Sequence, residues 1–239
     1  MTKPKVAAIH QPTFFPWLGY YDKIARSDVF ILLDNVQFPK TGGTWINRVR
    51  ILINGQPAWI TVPIVRSYHG VRCIADMEIN NNLPWREKLI MTFKTNYARA
   101  PYFDSIFPIL KELVEHPVYL LCEYNINAIK AVMALLGLDQ DKLVLGSSLQ
   151  AKGHATDLLI ELVREVGGSV YLCGGGSDGY LQEEKFSEAG LELIYQNFVQ
   201  PVYLQNATHE FAAGLSIIDV LMNLGVDQTR QLLIGQAQK

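Results

Sequence analysis

Short apolar runs without polar alternation recur along the chain at Val6–Ile9, inside Asp28–Asp34 and within Ser169–Cys173, and shorter strands are predicted at Leu143–Leu145 and Leu191–Tyr195. Runs of this kind predict strands covered on both faces, as in a parallel sheet. Between them the period changes. From Trp17 onward, Leu18, Tyr21, Ile24 and Ala25 fall at helical spacing, and Trp85, Leu89, Ile90 and Phe93 share one face of a helix over about 83–94. Further helices are predicted at about 104–115, at 117–136 closed by Gly137, at 156–166 with a Leu158, Leu159, Leu162, Val163 stripe, and at 215–224 ended by Gly225. Residues 46–53 alternate imperfectly, and Asn54–Gly55 followed by 58–64 is a strong hairpin signal. The pattern predicts a single α/β domain over residues 1–239. Its sheet is mainly parallel and Rossmann-like, with a β-hairpin excursion at about 46–65 and a helical insertion at about 83–137.

Candidate chemistry sits where these strands end. The first run stops on His10 and Gln11, Pro12 and Pro16 force an extended connection, and a helix follows. In open α/β sheets ligands bind beyond such carboxyl ends. The alternative is an aromatic cover with His10 as a satisfied core histidine, and the same choice applies to Phe14, Phe15, Trp17, Tyr20 and Tyr21, which suit a core as well as a stacked ring. The second run ends on Asp34, which is expected to share the crevice with His10. Arg48 and Arg50 share one face of the first hairpin strand, a fork suited to phosphate or carboxylate; a solvated outer face is the commoner fate of such residues. Gly174, Gly175 and Gly176, followed by Ser177 and Tyr180, can approach a ligand closely and form an anion-binding nest.

Composition narrows the classes. With 49% apolar residues the chain can bury a full core, and 21 basic against 23 acidic residues give a net charge of −2, which does not favour nucleic acid. The three cysteines, Cys73, Cys122 and Cys173, are far apart and odd in number, which predicts a reducing, cytoplasmic address. No signal peptide and no membrane span are expected. Gly175–Gly176–Ser177–Asp178–Gly179 matches G-x-S-x-G formally, with Glu183, Glu184, Glu192 and His209 downstream, but no helix is announced at once as a nucleophile elbow requires. No metal-ligand spacing joins His10, His69, His116, His154 and His209, and no phosphate-loop or dinucleotide fingerprint occurs.

His10–Gln11–Pro12–x–Phe14–Phe15–Pro16–Trp17–Leu18–Gly19–Tyr20, then Ser27–Asp28–Val29–Phe30 and Asp34–x–Val36–Gln37–Phe38, resemble the opening of the WbqC-like family. The likeness continues through Asn47–Arg48, Val62–Pro63, Trp85, Lys94 to Tyr97, Ala100–Pro101–Tyr102–Phe103 and Thr156–Asp157. It then takes in the glycine turn with Tyr180–Leu181, Pro201–Val202–Tyr203–x–Gln205, and Ser216–Ile217–Ile218–Asp219. The resemblance implies a cytoplasmic bacterial protein of surface-polysaccharide (O-antigen, lipopolysaccharide) biosynthesis. It also implies a transferase that moves a small acyl or aminoacyl group, such as glycyl, to an amino sugar. The family pattern has Arg-Asp just before Tyr-Leu, whereas this chain has Asp178–Gly179.

Under this reading His10 is the general base and Asp34 orients it or the attacking amine. Gln11, Tyr20, Lys23, Gln37, Asn47, Arg48, Arg50, the Gly174–Gly176 turn, Ser177, Tyr180, Tyr203 and Gln205 bind substrate. The expected partner is a small molecule, an activated sugar or acyl donor. The sequence points to no particular cofactor or metal and is compatible with a homo-oligomer. The alternatives are an ATP-using nucleotidyl-transferase-like enzyme and a non-catalytic sugar-nucleotide or partner-binding module.

Overall fold

A computed structural model describes residues 3–40, 44–175, 181–206, 208 and 210–237. Strands β1 (Val6–His10), β2 (Val29–Leu32), β5 (Leu143–Leu145), β6 (Val170–Cys173) and β7 (Glu192–Tyr195) form a parallel sheet in the order β5-β2-β1-β6-β7. Strands β3 (Arg48–Ile53) and β4 (Gln56–Thr61) pair antiparallel as a separate hairpin around Asn54 and Gly55, both at positive φ. The chain is therefore α/β, as its periodicities predict.

Side chains alternate faces along each strand, and this sorts them into two cores. Ala8, Phe30, Leu32 and Leu172 face the larger one, which also buries helix α1 (Leu18–Arg26), the hairpin, and helices α2 (Trp85–Tyr97), α3 (Phe103–Glu115), α4 (Leu121–Leu136) and α7 (Ile217–Ala237). Ala7, Ile9, Ile31, Tyr171 and Cys173 face the smaller core, under helices α5 (Ala155–Glu165) and α6 (Glu183–Glu188). Each fully buried Leu, Ile or Phe contributes about 1.5–3 kcal/mol, so the runs without alternation are the strands that both helical layers need.

Two helix boundaries differ from expectation. Helix α4 begins at Leu121, because the preceding residues pair instead: the Ile79 N–H donates to the Tyr119 carbonyl and the Leu121 N–H to that of Met77. Gly225 breaks α7 with φ 69° and ψ −176°, as predicted, but a second helical piece continues to Ala237. A β-carbon at Gly225 would stand 2.5 Å from the Tyr102 ring, so both the turn and the packing require glycine there. Among the described residues no helix is long and apolar enough to cross a membrane.

Candidate functional site

The sheet order explains the crevice. The chain leaves β1 toward β2 on one side and leaves β6 toward β7 on the other, so the carboxyl ends of these adjacent strands diverge. That divergence opens a cleft at the topological switch point. Here it holds about 440 Å³ and brings together His10, Tyr20, Lys23, Gly174 and Gly175. The two stretches singled out from the sequence, 164 residues apart, thus share one cavity.

His10 is half-buried at its floor. Its Nδ1 lies 3.0 Å from the Gln11 carbonyl oxygen, which can only accept, so Nδ1 carries the proton. Nε2 then holds the lone pair. Tyr20 packs edge-on against the imidazole with centroids 4.8 Å apart and donates its hydroxyl to the same Gln11 carbonyl at 3.2 Å. Burial, then the Lys23 charge, lower the His10 pKa from 6.5 to about 4, although the Gln11 hydrogen bond favours the charged form. The neutral tautomer is therefore the resting state at neutral pH.

Lys23 is almost wholly buried, its Nζ donating to the Ile9 carbonyl at 2.9 Å. Burial lowers its pKa to about 8, so it remains mostly a cation at neutral pH. A β-carbon on Gly174 would stand 3.7 Å from that Nζ, which places the cation directly beneath the glycine turn.

The walls are aromatic: Trp17 is among the rings that the sequence offers for a core or for stacking, while Trp45 and Phe198 carry no such signal. Trp17 and Phe198 meet edge-to-face at 5.1 Å, and Trp45 closes the hairpin side. Gly19 is what admits the Trp17 ring, since a β-carbon there would collide with it at 2.3 Å. Phe15, buried with φ 38°, turns the wall; such a conformation costs about 1–2 kcal/mol in a residue with a β-carbon. It is held from outside by Ser216, whose hydroxyl donates to the Phe15 carbonyl at 2.8 Å, and by the Ile217 N–H on the Pro16 carbonyl at 2.9 Å. Gln196 fixes the far rim, donating to the Gly19 carbonyl at 2.6 Å and to Asp22 Oδ2 at 2.7 Å. A polar residue just after an edge strand was the available signal for Gln196 and Asn197.

Other expected site residues lie elsewhere. Asp34 accepts the Ser147 N–H at 2.8 Å and the Ser147 hydroxyl at 2.6 Å, which ties the end of β2 to the turn after β5 and does not orient His10. Asn47 donates to the Val62 carbonyl at 3.0 Å, and Gln37 is exposed in a bridge to Cys73. Tyr203 and Gln205 donate to Asp219 Oδ2 at 2.6 and 3.0 Å, while Tyr97 donates to Oδ1 at 2.9 Å. Gln11 contributes its carbonyl and does not line the cavity through its side chain. Arg48 and Arg50 do not line the cavity; Arg48 lies over Trp59 and Arg50 beside Trp45. Gly176, Ser177 and Tyr180, with Asp178, Gly179 and His209 of the nucleophile-elbow reading, lie outside the described residues. No group of three or more His, Cys, Asp or Glu among the described residues is placed to hold a metal ion.

The model of the WbqC-like protein family matches residues 11–231, which includes every wall of this cavity except His10. The chain belongs to the WbqC-like protein family. A relative in Mycobacterium tuberculosis, the uncharacterized protein Rv1507c, is 27% identical over 229 residues, covering 93% of this chain and 95% of the relative. No solved structure matches. For a WbqC-like chain the match is thus nearly end to end, and it extends through the Asp219 network that anchors the last helix.

Proposed function

We propose that the crevice is the active site of a transferase that moves a small acyl or aminoacyl group, such as glycyl, from an activated donor to the amine of an amino sugar or sugar nucleotide. The setting in bacterial surface-polysaccharide assembly, including O-antigen, follows from the family resemblance. The observation that carries the reading is the His10 tautomer: with Nδ1–H committed to the Gln11 carbonyl, Nε2 is left as an acceptor on a residue that lines the cavity.

In the reaction the amine nitrogen attacks the acyl carbon and forms the C–N bond. The bond from that carbon to the donor's sulfur or oxygen breaks, and the leaving group takes the electron pair. The proton released by the amine passes to His10 Nε2. Burial, more than the Lys23 cation, lowers the His10 pKa; an anionic leaving group or phosphate beside Lys23 offsets the cation's share, so the imidazole becomes a stronger base when substrate is bound. Trp17, Trp45 and Phe198 offer aromatic faces to a sugar ring.

The same tautomer weighs against the nucleotidyl-transfer alternative, since a neutral Nε2 cannot donate to a transferring phosphoryl group. The test is incubation of the purified protein with acyl-CoA or aminoacyl donors and nucleotide-linked amino sugars, followed by mass spectrometry of the acceptor. Gain of the acyl mass with release of the donor's leaving group is expected. Magnesium-dependent pyrophosphate release from ATP without acyl gain would overturn the reading in favour of nucleotidyl transfer.

A further inference from the structure

The hairpin face beyond Trp45 carries chemistry that the crevice does not use. Arg48 and Arg50 project from one face of β3, and Arg50 stands directly opposite Trp59 in the register. Trp45 and Trp59 meet edge-to-face at 4.8 Å and are 41% and 42% exposed, a large aromatic area left in contact with water. The Arg48 guanidinium lies 4.2 Å over the Trp59 ring, and that of Arg50 lies 5.9 Å from both rings. Stacking of this kind fixes the plane of a guanidinium and directs its N–H edge sideways.

Arg50 is under-used by the protein itself. Its Nε is buried with no hydrogen-bond partner, its Nη2 reaches only the Ala213 carbonyl at 3.4 Å, and among the described residues it forms no ion pair. Its position is nonetheless fixed by the backbone, because its carbonyl accepts the Ser216 N–H at 2.9 Å. Trp45 is equally fixed, its carbonyl accepting the Phe14 N–H at 3.1 Å, and it is also a wall of the crevice. Trp45 is therefore shared between the crevice and this face.

We infer that the Trp45–Trp59 face with Arg48 and Arg50 is a second subsite, which binds a phosphorylated sugar by stacking its ring on the tryptophans and seating its phosphate on the arginine edges. Aromatic faces recognise the C–H side of a sugar ring, and guanidinium forks recognise phosphate oxygens. Only the identification of the ring as a sugar rests on the transferase reading. The phosphate belongs to either a free sugar phosphate or a nucleotide-linked sugar, and both present it next to the ring.

The test is calorimetric titration of the full chain with N-acetylglucosamine, N-acetylglucosamine 1-phosphate, UDP-N-acetylglucosamine and UMP, with wild type, Arg50→Gln and Trp59→Ala, each checked for an unchanged thermal midpoint. The sugar phosphate should bind about tenfold or more tightly than the bare sugar, Arg50→Gln should erase that difference, and Trp59→Ala should weaken both. Tighter binding of UDP-N-acetylglucosamine than of the sugar phosphate assigns the nucleotide-linked source, and equal binding the free one. Equal affinity for sugar and sugar phosphate, unaltered binding in both variants, tight binding of UMP in place of the sugars, or no binding at low-millimolar concentration would overturn the subsite. Since binding is read without turnover, phosphate-dependent binding in a protein inert toward acyl donors would sink the transferase reading alone.

Discussion

The ammonium group of Lys23 donates to the carbonyl of Ile9 at 2.9 Å, which seats a buried cation at the residue immediately before His10. This strand end thus holds an imidazole and an ammonium together, and burial lowers the pKa of both. The His10 pKa of about 4 follows from burial first and from this cation second.

Replacing Lys23 by Met should therefore raise the His10 pKa while leaving it below 6.5, because burial remains. Imidazole resonances followed by NMR across a pH titration read this directly, and an unchanged value would remove Lys23 from the account. The stability consequence has a definite sign. Unfolded His10 takes a proton near 6.5 and folded His10 only near 4, so the unfolded state binds more protons in that interval. This group's contribution then makes the fold less stable as pH falls from about 6.5 to 4, and the loss should shrink in Lys23→Met.

Asp219 accepts hydrogen bonds from Tyr97, Tyr203 and Gln205, and the Tyr97 hydroxyl in turn accepts the Leu52 N–H at 3.1 Å. Tyr97→Phe leaves a buried N–H and a carboxylate oxygen each short of a partner, and should cost about 1–3 kcal/mol in chemical denaturation. Tyr203→Phe should cost less, about 1 kcal/mol, and leave ligand affinity unchanged. A loss of affinity without a loss of stability would return Tyr203 to the binding site.

Asp34→Ala should likewise destabilise, by about 0.5–1.5 kcal/mol, because the exposed Ser147 loses the buried carboxylate that accepts its N–H and hydroxyl. The His10 titration should not move. A shift of that titration in Asp34→Ala would show that the two residues are coupled after all.

Gly225→Ala combines a left-handed φ with a β-carbon placed 2.5 Å from the Tyr102 ring. It should cost more than about 1 kcal/mol, read as a lower denaturation midpoint. A neutral substitution would mean that the break in α7 is easily repacked.

Residues near strand ends were the readable part of the site. His10 and the Gly174–Gly175 turn terminate buried apolar runs, and parallel packing brings such ends to one edge, so their meeting follows from local pattern plus fold class. Arg48 and Arg50 were recognised as a pair, but where a hairpin docks depends on distant contacts, here Phe14 with Trp45 and Ser216 with Arg50. Tyr203 and Gln205 looked like pocket residues because they are polar and lie in a loop; their partner Asp219 is a helix residue inside an apolar run, whose burial no local signal announces. The start of α4 is set in the same way by distant contacts. Residues 117–120 have helical spacing, but the Tyr119 carbonyl accepts from Ile79 and the Leu121 N–H donates to Met77, across the chain.

The central claim is that His10 Nε2 takes the proton in group transfer within the β1–β6 crevice, and the most direct measurement is the turnover number of His10→Gln beside wild type in the mass-spectrometric assay, with thermal midpoints recorded for both. The account predicts a fall of about 10²–10⁴ in kcat with a midpoint close to that of wild type. A kcat within a few-fold of wild type would contradict it, and so would a variant that loses activity only because it no longer folds.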